Sequence, residues 1–109
     1  MAHLATCRGK LPVKWMAIES LETYIFTIES DVWAYGVLLW EMESGGLKPY
    51  AGLNTTELIA ELKKGYRMEK PNGCSDEMYQ VMRDCWNPNP KARPTFEQLV
   101  IRLGSKTVA

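Results

Sequence analysis

The sequence predicts an all-α chain, and three observations carry that reading. No stretch of strand length alternates apolar and polar residues. The run from Val32 to Met42 is apolar almost all round, the pattern of a helix with other elements packed about it. Capping residues stand in front of the later apolar segments: Asn54 or Thr55, then Ser75, then Thr95 in the capping box Thr95-Phe96-Glu97-Gln98.

Taken in order, residues 1–10 lack a periodic apolar signal and read as an irregular lead-in. In Leu11-Pro12-Val13-Lys14-Trp15 the proline fixes its own backbone and pushes Leu11 toward an extended shape, so an ordered loop is expected rather than a helix. Met16 to Glu22 suits a short helix of about two turns. Thr27 or Ser30 can cap the central helix, with Asp31 in its first turn, where an acid faces the positive end of the helix dipole. Trp33, Tyr35, Val37, Leu38, Leu39, Trp40 and Met42 cover every face of that helix. Gly36 in its middle costs roughly 1 kcal/mol relative to alanine unless a neighbour needs the close approach.

Gly45-Gly46 ends this helix and Pro49-Tyr50-Ala51-Gly52 is turn chemistry. An amphipathic helix follows with Leu58, Ile59 and Leu62 on one face, stopped by Gly65. After the Pro71-Asn72-Gly73 turn, Asp76 to about Trp86 carries the stripe Met78, Val81, Met82 and Cys85. Asn87 to Pro94 holds three prolines and is expected to be non-helical. The last helix is expected to run through Leu99, Val100 and Leu103 to Gly104, leaving 105–109 as a tail. Five helices with proline-marked loops result, and nothing suggests a second domain.

Thirteen basic and thirteen acidic residues cancel, which argues against nucleic acid as a partner and against an anionic membrane surface. The longest apolar run is too short for a membrane span, and Met1 to Lys10 lacks the apolar stretch of a signal peptide. Cys7, Cys74 and Cys85 are odd in number and share no Cys-x-x-Cys spacing, so reduced thiols are expected rather than disulfides or a zinc site. His3, the one histidine, has no partner at metal-ligand spacing.

Several blocks go beyond local structure. Leu11-Pro12-Val13-Lys14-Trp15-Met16-Ala17-Ile18-Glu19-Ser20-Leu21 resembles the end of a tyrosine-kinase activation segment. Ser30-Asp31-Val32-Trp33-Ala34-Tyr35-Gly36-Val37-Leu38-Leu39-Trp40-Glu41 resembles the central helix of the same family's large lobe. Pro49-Tyr50-Ala51-Gly52, Arg67-Met68-Glu69-Lys70-Pro71, Met82-Arg83-Asp84-Cys85-Trp86 and Ala92-Arg93-Pro94-Thr95-Phe96 follow at family spacing. The chain therefore resembles the C-terminal lobe of receptor-type protein tyrosine kinases, in particular fibroblast-growth-factor-receptor-like and Tie/Axl-like sequences. Leu-Pro-Val-Lys-Trp carries the tyrosine-specific type, since serine/threonine kinases usually have a different string there. Residues 11–104 would then be part of a kinase large lobe, the helical C-terminal subdomain of the protein-kinase-like fold, and the setting cytoplasmic, inside a single-pass receptor.

The resemblance implies roles. Leu11, Pro12, Val13, Lys14, Trp15 and Met16 would face the peptide just after its target tyrosine, as a proline-fixed loop offering backbone groups and an apolar wall can do. The alternative is that this loop is simply packed structure. Glu19 and Arg93 would form the family's buried ion pair, against the plainer reading of two unrelated surface charges. Asp31 would accept backbone N–H groups from the catalytic loop of a whole kinase, or serve as a plain helix cap. Trp33, Trp40 and Trp86 are expected in the core, and Gly36 marks a close approach. The helix around Leu58 to Leu62 is either a docking helix for substrates and regulators or an ordinary surface helix.

A kinase also needs a glycine-rich loop, a strand lysine, a His-Arg-Asp catalytic loop and an Asp-Phe-Gly magnesium site. None of the three sequence strings occurs in these 109 residues. ATP and magnesium would bind in the parent enzyme through segments this chain does not hold, and the chain alone is expected to lack a cofactor and kinase activity. Its partners would be protein or peptide substrates bearing tyrosine and the remainder of the kinase domain. Two other readings stay open: a non-catalytic helical docking or regulatory module, and a piece of a pseudokinase.

Overall fold

In the computed structural model, residues 11–108 are described, with side chains for residues 11–104. The elements are α1 (Ile18–Thr23), α2 (Ile28–Glu43), α3 (Thr55–Lys63), α4 (Asp76–Cys85) and α5 (Phe96–Val108), with short 3-10 turns at Val13–Trp15 and Pro90–Ala92. No strand occurs among the described residues. The lead-in expected over residues 1–10, with His3 and Cys7, lies outside them.

Local chemistry accounts for the helix starts. Thr27 caps α2: its side chain accepts the Ser30 N–H at 3.1 Å, and Ser30 Oγ accepts the Thr27 N–H at 2.7 Å. Ser30 is thus inside the helix as the reciprocal member of a capping box. Asn54 and Glu57 make the same exchange at α3, and Thr95 and Gln98 before α5. Ser75 caps α4 by accepting the Met78 N–H at 3.1 Å.

Three details depart from the sequence reading. α1 begins at Ile18 rather than Met16, because Met16 and Ala17 are extended. The segment from Asn87 to Pro94 does contain one helical turn. Pro90 stands at its start, where a missing N–H leaves no intrahelical bond unmade, and Asn89 caps it. α5 passes Gly104 and continues to Val108. A lone glycine stops a helix when it turns left-handed, as Gly65 does after α3 at φ 102°; otherwise it costs only about 1 kcal/mol.

The packing of α2 is one-sided. Val32, Trp33, Gly36, Val37, Leu39 and Trp40 are buried, but Leu38 and Met42 are 46% and 66% exposed. Ile28, Asp31, Leu38 and Met42 recur at helical spacing and fall on one uncovered side, with half-buried Tyr35 among them. The helix is apolar all round, yet only part of its circumference is packed. The main contact is with α4, where a Cβ on Gly36 would stand 2.7 Å from Cys85 Cβ and 2.7 Å from Trp86 Nε1. Only glycine allows that approach.

One core holds the elements together. Trp33, Val37, Val81, Met82, Cys85, Trp86 and Leu99 fill it, with Leu58 and Leu62 supplied by α3. Cys74 and Cys85 are free and buried, and burial foremost pushes the Cys85 thiol up to about 12, with Asp84 adding to the rise.

Candidate functional site

The segment Leu11–Met16 is an ordered turn pinned from beneath. The Trp15 N–H donates to the Pro12 carbonyl at 3.0 Å and the Met16 N–H to Val13 at 3.2 Å. Lys14 Nζ donates to the Tyr50 carbonyl at 3.0 Å, and Trp15 Nε1 donates to Glu41 Oε1 at 2.8 Å. Both polar ends are turned inward, onto the turn after α2 and onto α2 itself. Met16 is buried, Leu11, Val13, Lys14 and Trp15 are half-buried, and Pro12 is exposed. What remains for solvent is an outer surface formed by Pro12 and the exposed parts of Leu11 and Val13.

Behind this turn lies an apolar cavity of about 200 Å³ bordered by Leu11, Trp15, Met16, Phe26 and Ala34, with Asp31 at its margin. Asp31 is exposed in the first turn of α2, and its backbone N–H donates to the Thr27 carbonyl at 3.0 Å. It is not the cap; Thr27 is.

Glu19 and Arg93, 74 residues apart, meet in a two-pronged pair: Arg93 Nη1 and Nη2 each donate to one Glu19 carboxylate oxygen at 2.8 Å. The Arg93 side chain is fully buried, whereas that of Glu19 is 31% exposed. Arg93 also donates to the carbonyls of Asn87 at 2.8 Å and Glu29 at 3.0 Å. Burial pulls the Glu19 carboxyl upward, but its hydrogen bonds and the charge of Arg93 win and hold it below its ordinary value of 4.5. One guanidinium thereby ties together α1, the start of α2 and the loop before α5.

Trp33 is fully buried with guanidinium groups near its ring, Arg67 at 5.0 Å and Arg93 at 5.1 Å from the centroid. Trp86 is buried against Gly36, and Trp40 donates its indole N–H to the Glu69 carbonyl at 2.9 Å. Arg67, quoted from sequence only within a family string, was given no role, yet it donates to the carbonyls of Trp86, Leu62 and Tyr66. The Trp86 and Leu62 carbonyls lie at the ends of α4 and α3, where a cation suits the helix dipole. Glu41 and Tyr50, the anchors of the turn, were also missed as such. A single acid in the apolar run of α2 was the available signal for Glu41.

The structure thus brings Leu11–Met16, Glu19, Asp31 and Arg93 around the first half of α2, while Gly36 and Trp86 lie at the α2–α4 contact. Among the described residues, no group of three His, Cys, Asp or Glu could hold a metal ion, and Lys14 is committed to a carbonyl. No described helix is long and apolar enough to cross a membrane.

This arrangement of helices, with an ion-paired segment end clamped onto a central helix, is the framework of a protein-kinase large lobe. The profile of the family described as "Protein tyrosine and serine/threonine kinase" matches residues 2–103, and the chain belongs to that family. It is 53% identical over 95 residues to the tyrosine-protein kinase receptor Tie-1 of Danio rerio, covering 87% of this chain and 52% of the relative. It is 52% identical over 96 residues to the angiopoietin-1 receptor of Danio rerio, with 88% and 9% covered. It is 55% identical over 95 residues to fibroblast growth factor receptor 1 of Pleurodeles waltl, with 87% and 12% covered. The chain therefore spans from about a tenth to about half the length of these curated relatives. It corresponds to part of a tyrosine-kinase domain of the receptor type, and its all-helical architecture is that of the C-terminal subdomain.

Proposed function

We propose that residues 11–104 form the peptide-facing wall and helical base of a protein tyrosine kinase, an enzyme that moves the terminal phosphoryl of ATP to a tyrosine hydroxyl. The observation that carries this is the pinned turn: Lys14 and Trp15 spend their polar groups on Tyr50 and Glu41. That leaves Pro12, with parts of Leu11 and Val13, as a rigid apolar surface for a strand-like peptide. Little ordering entropy is then lost on binding, since the wall is already set. The substrates are proteins bearing tyrosine, and the setting is the cytoplasmic part of a single-pass receptor; the relatives' names support the receptor part of that reading. Nucleotide and magnesium bind elsewhere in the enzyme, in segments outside these residues. The docking-module reading has less support, because the apolar residues Leu58 and Leu62 of α3 are buried and its exposed residues are mostly polar.

The test is a chimera in which residues 11–104 replace the matching stretch of a fibroblast-growth-factor-receptor kinase domain. Phosphorylation of tyrosine peptides should persist, with serine peptides unlabelled. Lys14→Ala combined with Trp15→Ala should raise KM for peptide more than it lowers kcat. A folded chimera without tyrosine transfer, or a double variant with unchanged KM, refutes the proposal. The chain alone should not transfer phosphate.

A further inference from the structure

Five tyrosines are present, and their surroundings differ sharply. Tyr50 is buried, and Tyr79 donates its hydroxyl to the Met68 carbonyl at 2.5 Å. Tyr35 packs edge-on against Phe96 with centroids 6.0 Å apart, and the Tyr66 ring lies 6.5 Å from that of Tyr50. Tyr24 is 61% exposed and its hydroxyl makes no hydrogen bond among the described residues.

The backbone around Tyr24 is also set apart. Tyr24 closes α1 in the left-handed region, at φ 59° and ψ 22°, a conformation that is strained for any residue with a side chain of this size. The segment 24–27 lies outside the helices and is exposed except for half-buried Phe26. Thr27 is held by its capping box with Ser30, and the Tyr24 N–H donates to the Ser20 carbonyl at 2.8 Å; beyond that, the Ile25 N–H donates to Thr23 Oγ1 at 3.1 Å and Ser20 Oγ donates to the Ile25 carbonyl at 2.8 Å. Drawing Tyr24 and Ile25 out into the extended shape that a peptide-modifying enzyme requires relieves the left-handed residue at the cost of three hydrogen bonds, from Tyr24 N–H to Ser20, from Ile25 N–H to Thr23 and from Ser20 to the Ile25 carbonyl, and leaves the Thr27 cap in place.

We propose that Tyr24 is a phosphoryl-acceptor tyrosine whose modification loosens α1. The acting enzyme is a tyrosine kinase with ATP as co-substrate. The phenol oxygen bonds to the terminal phosphorus, the bond to the ADP oxygen breaks, ADP departs, and the phenol proton passes to the kinase's base. The product carries about −1.5 to −2 charge at pH 7. That charge arrives at the C-terminal end of α1, where the carbonyl ends are already negative, and two residues after Glu22. Glu22 is ion-paired with Lys63 of α3, and the phosphate both repels Glu22 and competes for Lys63. Because α1 also carries Glu19, the partner of Arg93, loosening is transmitted toward that clamp. The proposal stands apart from whether this chain belongs to an active kinase, because the modifying enzyme is a separate one.

The experiment incubates the full 109-residue chain, folded by circular dichroism, with an unrelated soluble tyrosine kinase and magnesium–ATP. Tandem mass spectrometry should place phosphate on Tyr24 at least about tenfold ahead of Tyr35, Tyr50, Tyr66 and Tyr79, the ratio local opening of one segment gives. Amide exchange over Ile18–Thr23 should quicken by about two- to five-fold on phosphorylation. Tyr24→Phe should abolish both effects and leave the dichroism spectrum unchanged. Label arriving first elsewhere, equal label on all five tyrosines, no label on Tyr24, or unchanged exchange over α1 overturns it.

Discussion

Removing the Glu19 carboxylate should destabilise the chain by about 2–3 kcal/mol, and the figure follows from the geometry of its partner. The Arg93 side chain has no exposure and donates two bonds of 2.8 Å to Glu19. Breaking one side of a buried pair costs about 3–5 kcal/mol, because the other charge stays out of water. Two features pull the value down from that range. The Glu19 side chain is 31% exposed, so water already screens it, and Arg93 keeps the Asn87 and Glu29 carbonyls. Urea unfolding followed by tryptophan fluorescence should show the midpoint of Glu19→Ala lowered by about 1–2 M. The pair should also be coupled: Glu19→Met and Arg93→Met together should cost less than their sum by at least about 1 kcal/mol. A midpoint shift under about 0.3 M, or strict additivity, would refute the reasoning. The pH dependence has a definite sign. The folded carboxyl lies below its unfolded value near 4.5, so its contribution is present above that value and is lost as pH falls through the lower, folded one. Glu19→Gln should therefore lose less stability than the parent chain between about pH 6 and pH 3.

Gly36→Ala should destabilise by about 1–2 kcal/mol. Overpacking against Cys85 and Trp86 at 2.7 Å costs about 1–3 kcal/mol, and the better helix propensity of alanine returns at most about 1. Greater stability in chemical denaturation would contradict the tight α2–α4 contact. The uncovered side of α2 should make the isolated chain self-associate, seen as early elution in size-exclusion chromatography. Leu38→Glu with Met42→Lys should shift elution to the monomer position. A sharp monomer for the parent chain would count against that side as a sticky surface.

Much of the fold was legible because its signals are short-ranged. A capping box joins residues three apart, so Thr95 with Gln98, or Asn54 with Glu57, can be read without knowing what lies beyond. The stripe Met78, Val81, Met82 and Cys85 told which side of α4 faces inward; Val81, Met82 and Cys85 are fully buried and Met78 is half-buried. Gly36 stood out because a glycine inside a strong helix needs a reason, although nothing local named Trp86 as that reason. The pairing of Glu19 with Arg93 could be anticipated only through family likeness. Charge alone matches Glu19 equally well with any of the thirteen cations.

By itself, the sequence determined the all-helical class, the caps, the amphipathic faces of α3 and α4, and kinship with tyrosine kinases, because each rests on neighbours or on strings of residues. Tertiary structure alone decided the rest. It showed Lys14 and Trp15 turned inward onto Tyr50 and Glu41, and Arg67 spent on the carbonyl ends of α3 and α4. It also left Leu38 and Met42 exposed on a helix whose composition is apolar all round. Periodicity tells how residues are arranged around a helix axis; which parts of that circumference are covered depends on elements far away in the chain, and that information appears only when the chain is folded.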